Sequence, residues 1–211
     1  MLTETMYQDY LACLIKGDRT RCAETVTSLL DRRVEIKTLY LELFQKSLYD
    51  VGLMWEANKI SVAREHLATA ITESLLSLIY PELFAKEEKT RSVVISCAVN
   101  EFHQVGGKIV ADFCEIHGWD AYFLGANTPM EQLLGFIDEV RPDLIGLSLS
   151  VYFNLPRLKK EIRAIQSNFS RTDLMVGGQA FALGGEKMLS SVANINYVPG
   201  LDELEGILAH G

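Results

Sequence analysis

No apolar run in these 211 residues reaches the roughly 20 residues that a helix needs to cross a bilayer. A helical membrane span is thereby excluded. The stretch from Met1 to Tyr10 lacks the basic and apolar regions of a signal peptide, and the expected compartment is the cytoplasm. Clustered cations are scarce as well. The densest groupings are Asp31-Arg32-Arg33 and Arg157 to Lys160, and 20 Lys plus Arg against 28 Asp plus Glu leave a formal charge of −8. Neutralising nucleic-acid phosphates takes a cluster of Lys and Arg, so direct binding of duplex DNA is not expected. The four cysteines, Cys13, Cys22, Cys97 and Cys114, form no CxxC pair and each sits in an apolar periodic segment. They are expected as buried thiols rather than as disulfides or zinc ligands. No duplicated half and no low-complexity tract is visible. What is present is an ordinary globular composition, 48% hydrophobic and 23% charged, in a chain long enough for two small domains.

The two halves follow different periods. From Leu2 to about Lys86 apolar residues recur at helical spacing, as in Leu39, Leu43, Phe44, Val51 and Met54. Breaks at Gly17-Asp18, around Asp31 to Val34 and at Ala57-Asn58-Lys59 predict four helices, at about 3–16, 19–31, 35–57 and 62–80. Ser61 is the expected N-cap of the fourth and Pro81 its expected end. Beyond the charged stretch Lys86 to Lys89, short β-rich runs alternate with amphipathic helices: Ser92 to Ala98, Asp120 to Leu124, Asp143 to Ser148, Asp173 to Val176 and Ile195 to Val198. Five such runs joined by helices imply right-handed crossovers and a parallel sheet covered on both faces. The expected domains are therefore a four-helix unit over 1–86 and an α/β unit over 91–211.

Open parallel sheets collect ligands at the carboxyl ends of their strands. Those ends hold Asn100 to Gly107, Gly125 to Pro129, Ser148-Leu149-Ser150 and Gly177-Gly178-Gln179. Glu101 and His103 stand two residues apart, so the carboxylate can reach one imidazole nitrogen while the other faces a ligand. The glycines Gly106 and Gly107 remove side chains where a bulky ligand would approach the backbone. The spacing alone is weak evidence, because a loop histidine is more often a bland solvated group than a metal ligand.

Glu101-Phe102-His103-Gln104-Val105-Gly106, Ser148-Leu149-Ser150 and Gly177-Gly178 resemble, in order and approximate spacing, three signatures. These are the Asp-x-His-x-x-Gly, Ser-x-Leu and Gly-Gly motifs of the cobalamin-binding domain found in methionine synthase, corrinoid methyltransferase proteins and cobalamin-dependent mutases. The resemblance covers almost all of 91–211. It implies a flavodoxin-like domain in which the histidine replaces the dimethylbenzimidazole base on cobalt and the freed nucleotide tail enters beside the serine and glycine loops. His103 would then be the cobalt ligand and Glu101 its carboxylate partner. Gly106, Ser148, Gly177 and Gly178 would line the tail pocket, with Ser150 among the cofactor-binding positions. Two positions depart from the pattern: Glu101 stands for aspartate, and Ser150 for the leucine of Ser-x-Leu.

The helical half adds Trp55, nine intervening residues, and Glu65-His66. This is similar to the Trp-x9-Glu-His motif of cobalamin photoreceptors that regulate carotenoid and photosynthesis genes. An indole can cover an upper ligand, and a carboxylate with an imidazole can hydrogen-bond a ribose or base. The resemblance therefore implies a large upper ligand, adenosylcobalamin before methyl- or hydroxocobalamin, held between the two halves. The implied function is a non-catalytic, light-responsive regulator acting through a separate transcription factor or signalling protein, or by self-association. A corrinoid carrier of a methyltransferase system remains the alternative. Glu56 follows Trp55 where the repressor-type photoreceptors commonly carry a histidine, so a second histidine on cobalt from that position is excluded. The winged-helix DNA-binding domain of those repressors is also not expected, because the sequence opens on the helical half.

Overall fold

The computed structural model describes residues 1–83, 89, 91–189, 192 and 194–210. The chain divides into two compact units, Met1–Glu82 and Leu83–Gly211. The expected boundary between 86 and 91 lies partly outside the described residues.

The first unit is helical, as its periodicity predicts. Helix α1 (Glu4–Lys16) starts at Thr3, whose hydroxyl accepts the Met6 N–H, and ends at Gly17 in the left-handed region, φ 82°. Two backbone bonds close that end, Gly17 N–H to Leu14 O and Asp18 N–H to Cys13 O, which spares the last carbonyls. Asp18 then caps α2 (Arg19–Asp31) through the Arg21 N–H. The expected third helix is not a uniform α-helix. It runs as α3 (Ile36–Thr38), a π-helical stretch Leu39–Gln45, and α4 (Lys46–Glu56). The wider π turn lets Leu39, Tyr40, Leu43 and Phe44 all reach the core, where each is fully buried.

Helix α5 (Val62–Leu83) is capped by Ser61, whose hydroxyl accepts the Arg64 N–H at 3.4 Å. Pro81 does not end this helix. It lies inside the last turn, where a proline removes one backbone bond, while the helix continues to the buried Leu83. Cys22, Cys97 and Cys114 are buried free thiols, as expected, but Cys13 is only half-buried because it sits to one side of the apolar stripe formed by Tyr7, Leu11 and Leu14.

In the second unit β1 (Arg91–Cys97), β2 (Trp119–Phe123), β3 (Leu144–Ser148), β4 (Asp173–Gly177) and β5 (Asn196–Val198) match the expected runs to within one residue at each end. They form one parallel sheet in the order β2-β1-β3-β4-β5. The intervening helices are α6 (Val105–Ile116), α7 (Met130–Val140), α8 (Leu155–Asn168) and the short α9 (Glu186–Leu189), and α10 (Leu201–His210) follows β5. Val94, Ile145, Leu147 and Val176 from the strands pack with Ile137, Leu158 and Ile162 from the helices. The chain leaves β1 toward β2 on one side and returns to β3 on the other. The crevice of this parallel sheet therefore opens at the carboxyl ends of β1 and β3.

Candidate cofactor site

Glu101 and His103 lie on the loop leaving β1, and Leu149 to Val151 on the loop leaving β3 just beyond Ser148, so the two loops meet at that crevice. Glu101 is completely buried. Its Oε1 accepts the His103 N–H at 2.9 Å and lies 2.6 Å from His103 Nδ1, while its Oε2 accepts the Ser150 and Val151 N–H groups, each at 2.8 Å. Burial pushes the carboxyl up, but the bonds from His103, Val151 and Ser150 outweigh it and hold the group at about 2. Glu101 is thus ionised at neutral pH. A carboxylate only accepts, so His103 Nδ1 carries the proton and, in the neutral imidazole, the lone pair sits on Nε2. The imidazole side chain is 59% exposed.

Neighbouring loops fix this pair. Asn100 and Asn127 both adopt left-handed backbone, φ 65° and 52°, a conformation that asparagine tolerates well. The Asn127 side chain accepts the Asn100 N–H, the Asn127 N–H reaches Glu101 O, and the Asn154 amide donates to Asn100 O. Beneath the loop Cys97 Sγ lies 3.8 Å from His103 O. Burial, reinforced by the Glu101 charge, raises that thiol to about 12, so it is an unreactive packing group.

Among the expected pocket glycines, a Cβ on Gly106 would meet nothing within 4 Å, which leaves room for a ligand. A Cβ on Gly107 would lie 3.0 Å from the Phe123 ring and in ordinary contact with Ser148 and Cys97, so Gly107 is set by packing within the domain. Gly177 and Gly178 are likewise demanded by the chain itself. Their added Cβ atoms would lie 2.6 Å from Val198 O and 2.3 Å from Leu149 O, and Gly178 has φ 110°. Ser148 stands in the terminal row of the sheet, paired with Cys97 on one side and Gly177 on the other. Ser150 joins the site through its backbone N–H.

In the helical unit Trp55 occupies the last turn of α4, 46% exposed, and Glu65 with His66 the first turn of α5. Glu65 Oε2 is 2.6 Å from His66 Nδ1 and its Oε1 accepts the Thr69 hydroxyl, so the carboxylate is fixed between two neighbours while the imidazole faces outward.

The sequence did not single out the Ser150 and Val151 N–H donors, nor the exposed aromatics on the two loops. Phe102, Tyr152 and Phe153 are exposed, Phe153 to 88%, with the last two rings packed edge-on. Aromatics at Phe102 and Tyr152-Phe153, just beyond two strand ends, are the signal that could have found the exposed rings, whereas the backbone donors carry none. Among the described residues no cluster of three or more His, Cys, Asp or Glu could chelate a free ion. The donor set is one oriented imidazole, on loops that also carry exposed aromatic rings. That suits a metal whose other ligands come from a flat macrocycle, with the protein supplying a single axial nitrogen.

Comparison with known proteins agrees with this chemistry. Residues 91–207 match the family model described as a B12 binding domain, and residues 6–80 match a second model with the same description. The HTH-type transcriptional repressor CarA of Myxococcus xanthus is 28% identical over 92% of this chain, and CarH of the same organism 29% over 69%. The chain spans 63% and 48% of the length of those two repressors. Dimethylamine corrinoid protein 3 of Methanosarcina acetivorans is 24% identical over 65% of this chain and 68% of its own length. In fold, the monomethylamine corrinoid protein of Methanosarcina barkeri superposes with a TM-score of 0.84 over 98% of both chains at 13% identity. The chain belongs to the B12-binding-domain family and is a cobalamin-binding protein.

Proposed function

We propose that the protein is a cobalamin-dependent sensor, with His103 as the lower cobalt ligand and Trp55, Glu65 and His66 serving the upper ligand. The observation that carries this is the buried Glu101 carboxylate. It fixes the His103 tautomer, raises the basicity of Nε2, and ties the imidazole to the loop after β3. Gly106 leaves space for the nucleotide tail beside Ser148, while Ser150, Gly177 and Gly178 shape the loops around it. When bound, cobalamin supplies a cobalt centre whose upper ligand can be removed by light or by exchange. The protein's part is to bind the two cofactor states differently, because a shift between conformations requires differential contacts. Trp55 and the Glu65-His66 pair suit adenosylcobalamin, whose nucleoside offers a flat face and hydroxyls. The output is a changed surface for a partner transcription factor or signalling protein, or for a second copy, in the cytoplasm, with no chemistry catalysed by the chain. The likeness to the two repressors supports this reading.

The likeness to the dimethylamine corrinoid proteins supports a second one, a methyl-carrying corrinoid subunit that serves methyltransferases. Illumination of the adenosylcobalamin complex, followed by absorbance and light scattering, separates them. A sensor gives a photoproduct with altered oligomer size or partner affinity. A photoproduct with neither change, together with methyl transfer from the methylcobalamin-loaded protein to a thiol or tetrahydrofolate through a partner enzyme, establishes the carrier. In either case His103→Ala moves the spectrum away from that of histidine-ligated cobalamin, and an unchanged spectrum removes His103 from cobalt.

A further inference from the structure

Helix α8 turns Leu155, Leu158, Ile162 and Ile165 inward. Glu161 lies on the same buried face and is only 4% exposed. A buried carboxyl group needs hydrogen bonds to be tolerated, and this one stands on an otherwise apolar face. Its Oε1 accepts the Val99 N–H at 2.8 Å, and among the described residues Oε2 has no hydrogen-bond partner. Burial raises the carboxyl above its ordinary value, against the lowering pull of the Val99 N–H and of Arg157. The acid is retained at a cost, and what it holds is one backbone amide.

That amide sits where the sheet gives way to the site. Ala98 N–H still bonds across the strands, to Ser148 O; Asn100 N–H goes to the Asn127 side chain, and Glu101 N–H turns back to Ala98 O. Val99 lies between the last ladder bond and the left-handed Asn100, and Glu161 is what satisfies it. The strand exit is thereby anchored to the core helix α8 rather than to another loop.

We propose that Glu161 is a positioning residue for the cobalt ligand: through the Val99 N–H it fixes the strand exit from which Glu101 and His103 are presented. This rests on the assignment of His103 as the ligand. The test is a double-mutant cycle with hydroxocobalamin, titrated by absorbance against the wild type, Glu161→Met, Glu161→Gln, His103→Ala and the Met/Ala double variant of the 211-residue chain. Glu161→Met leaves the half-buried Val99 N–H without its acceptor and is expected to weaken binding roughly tenfold and to lower the histidine-ligated fraction in the spectrum. Glu161→Gln keeps the acceptor and the shape, and restores both to within about twofold of wild type. In the His103→Ala background the methionine has no further effect.

An affinity loss of equal size in both backgrounds marks a merely structural acid and overturns the proposal, as does a Glu161→Met protein indistinguishable from wild type. If the methionine variant does not fold by circular dichroism, Glu161→Asp, which withdraws the acceptor by one methylene, takes its place with the same expectations. Failure of the underlying assignment looks different: wild-type protein then binds no hydroxocobalamin, or His103→Ala leaves its spectrum unchanged.

Discussion

The carboxylate of Glu101 accepts four hydrogen bonds, two from His103 and two from the backbone of the loop after β3. It therefore does two jobs, fixing a tautomer and tying the loop after β1 to the loop after β3. Glutamate in place of the aspartate of the family pattern keeps the bond to Nδ1. The stability consequence has a definite sign. The folded-state value, about 2, lies below the ordinary 4.5, so the contribution is fully present above the ordinary value and is lost as pH falls toward the folded one. In urea denaturation, the stability advantage of wild type over Glu101→Gln is expected to shrink by about 2 kcal/mol between about pH 6 and pH 3. A pH-independent difference would mean that the carboxylate is not held in this way. The pair Glu101-x-His103 was legible in the sequence, because the two residues are close in the chain and their chemistry is local. The Ser150 and Val151 donors were not. Backbone amides carry no sequence signature, and only the parallel pairing of β1 with β3 brings them to Glu101.

Elements show a similar division. The break at Gly17-Asp18 and the cap at Ser61 could be read directly, since capping is decided within one turn. The π-helical stretch Leu39–Gln45 could not, because a change of turn width depends on what the surrounding helices must bury. Pro81 was misread for a related reason: packing of residues beyond it outweighs one lost backbone bond. The loop glycines were all legible as unusual, but their reasons separate only in three dimensions. Gly178→Ala at φ 110° and 2.3 Å from Leu149 O is expected to cost at least about 3 kcal/mol of stability. Gly106→Ala, in open space at the start of α6, is expected to leave stability within about 1 kcal/mol of wild type while weakening cobalamin binding. Urea denaturation and a cobalamin titration on both variants check the contrast. An alanine at 106 that binds as wild type does would remove it from the tail pocket.

At the scale of the whole molecule, charge and topology set what each unit can do. A formal charge of −8 without a cationic cluster gives nothing to neutralise phosphates. Duplex DNA is expected not to be retarded by the protein in an electrophoretic assay near physiological salt, with or without cobalamin; a salt-dependent shift would refute this. The parallel order β2-β1-β3-β4-β5 places a ligand crevice beside β1 and β3, and both marked loops are found there.

The sequence by itself determined the helical first half, the five strands and their alternation with helices, and the short-range pairing of Glu101 with His103. Each follows from periodicity or from neighbours a few residues apart. Only the tertiary structure decided that Glu101 is buried under the loop after β3, that Gly177 and Gly178 answer to the chain's own backbone, and that Glu161 holds the strand exit. Those outcomes depend on residues tens of positions apart, which the sequence lists separately and the sheet brings within hydrogen-bond distance.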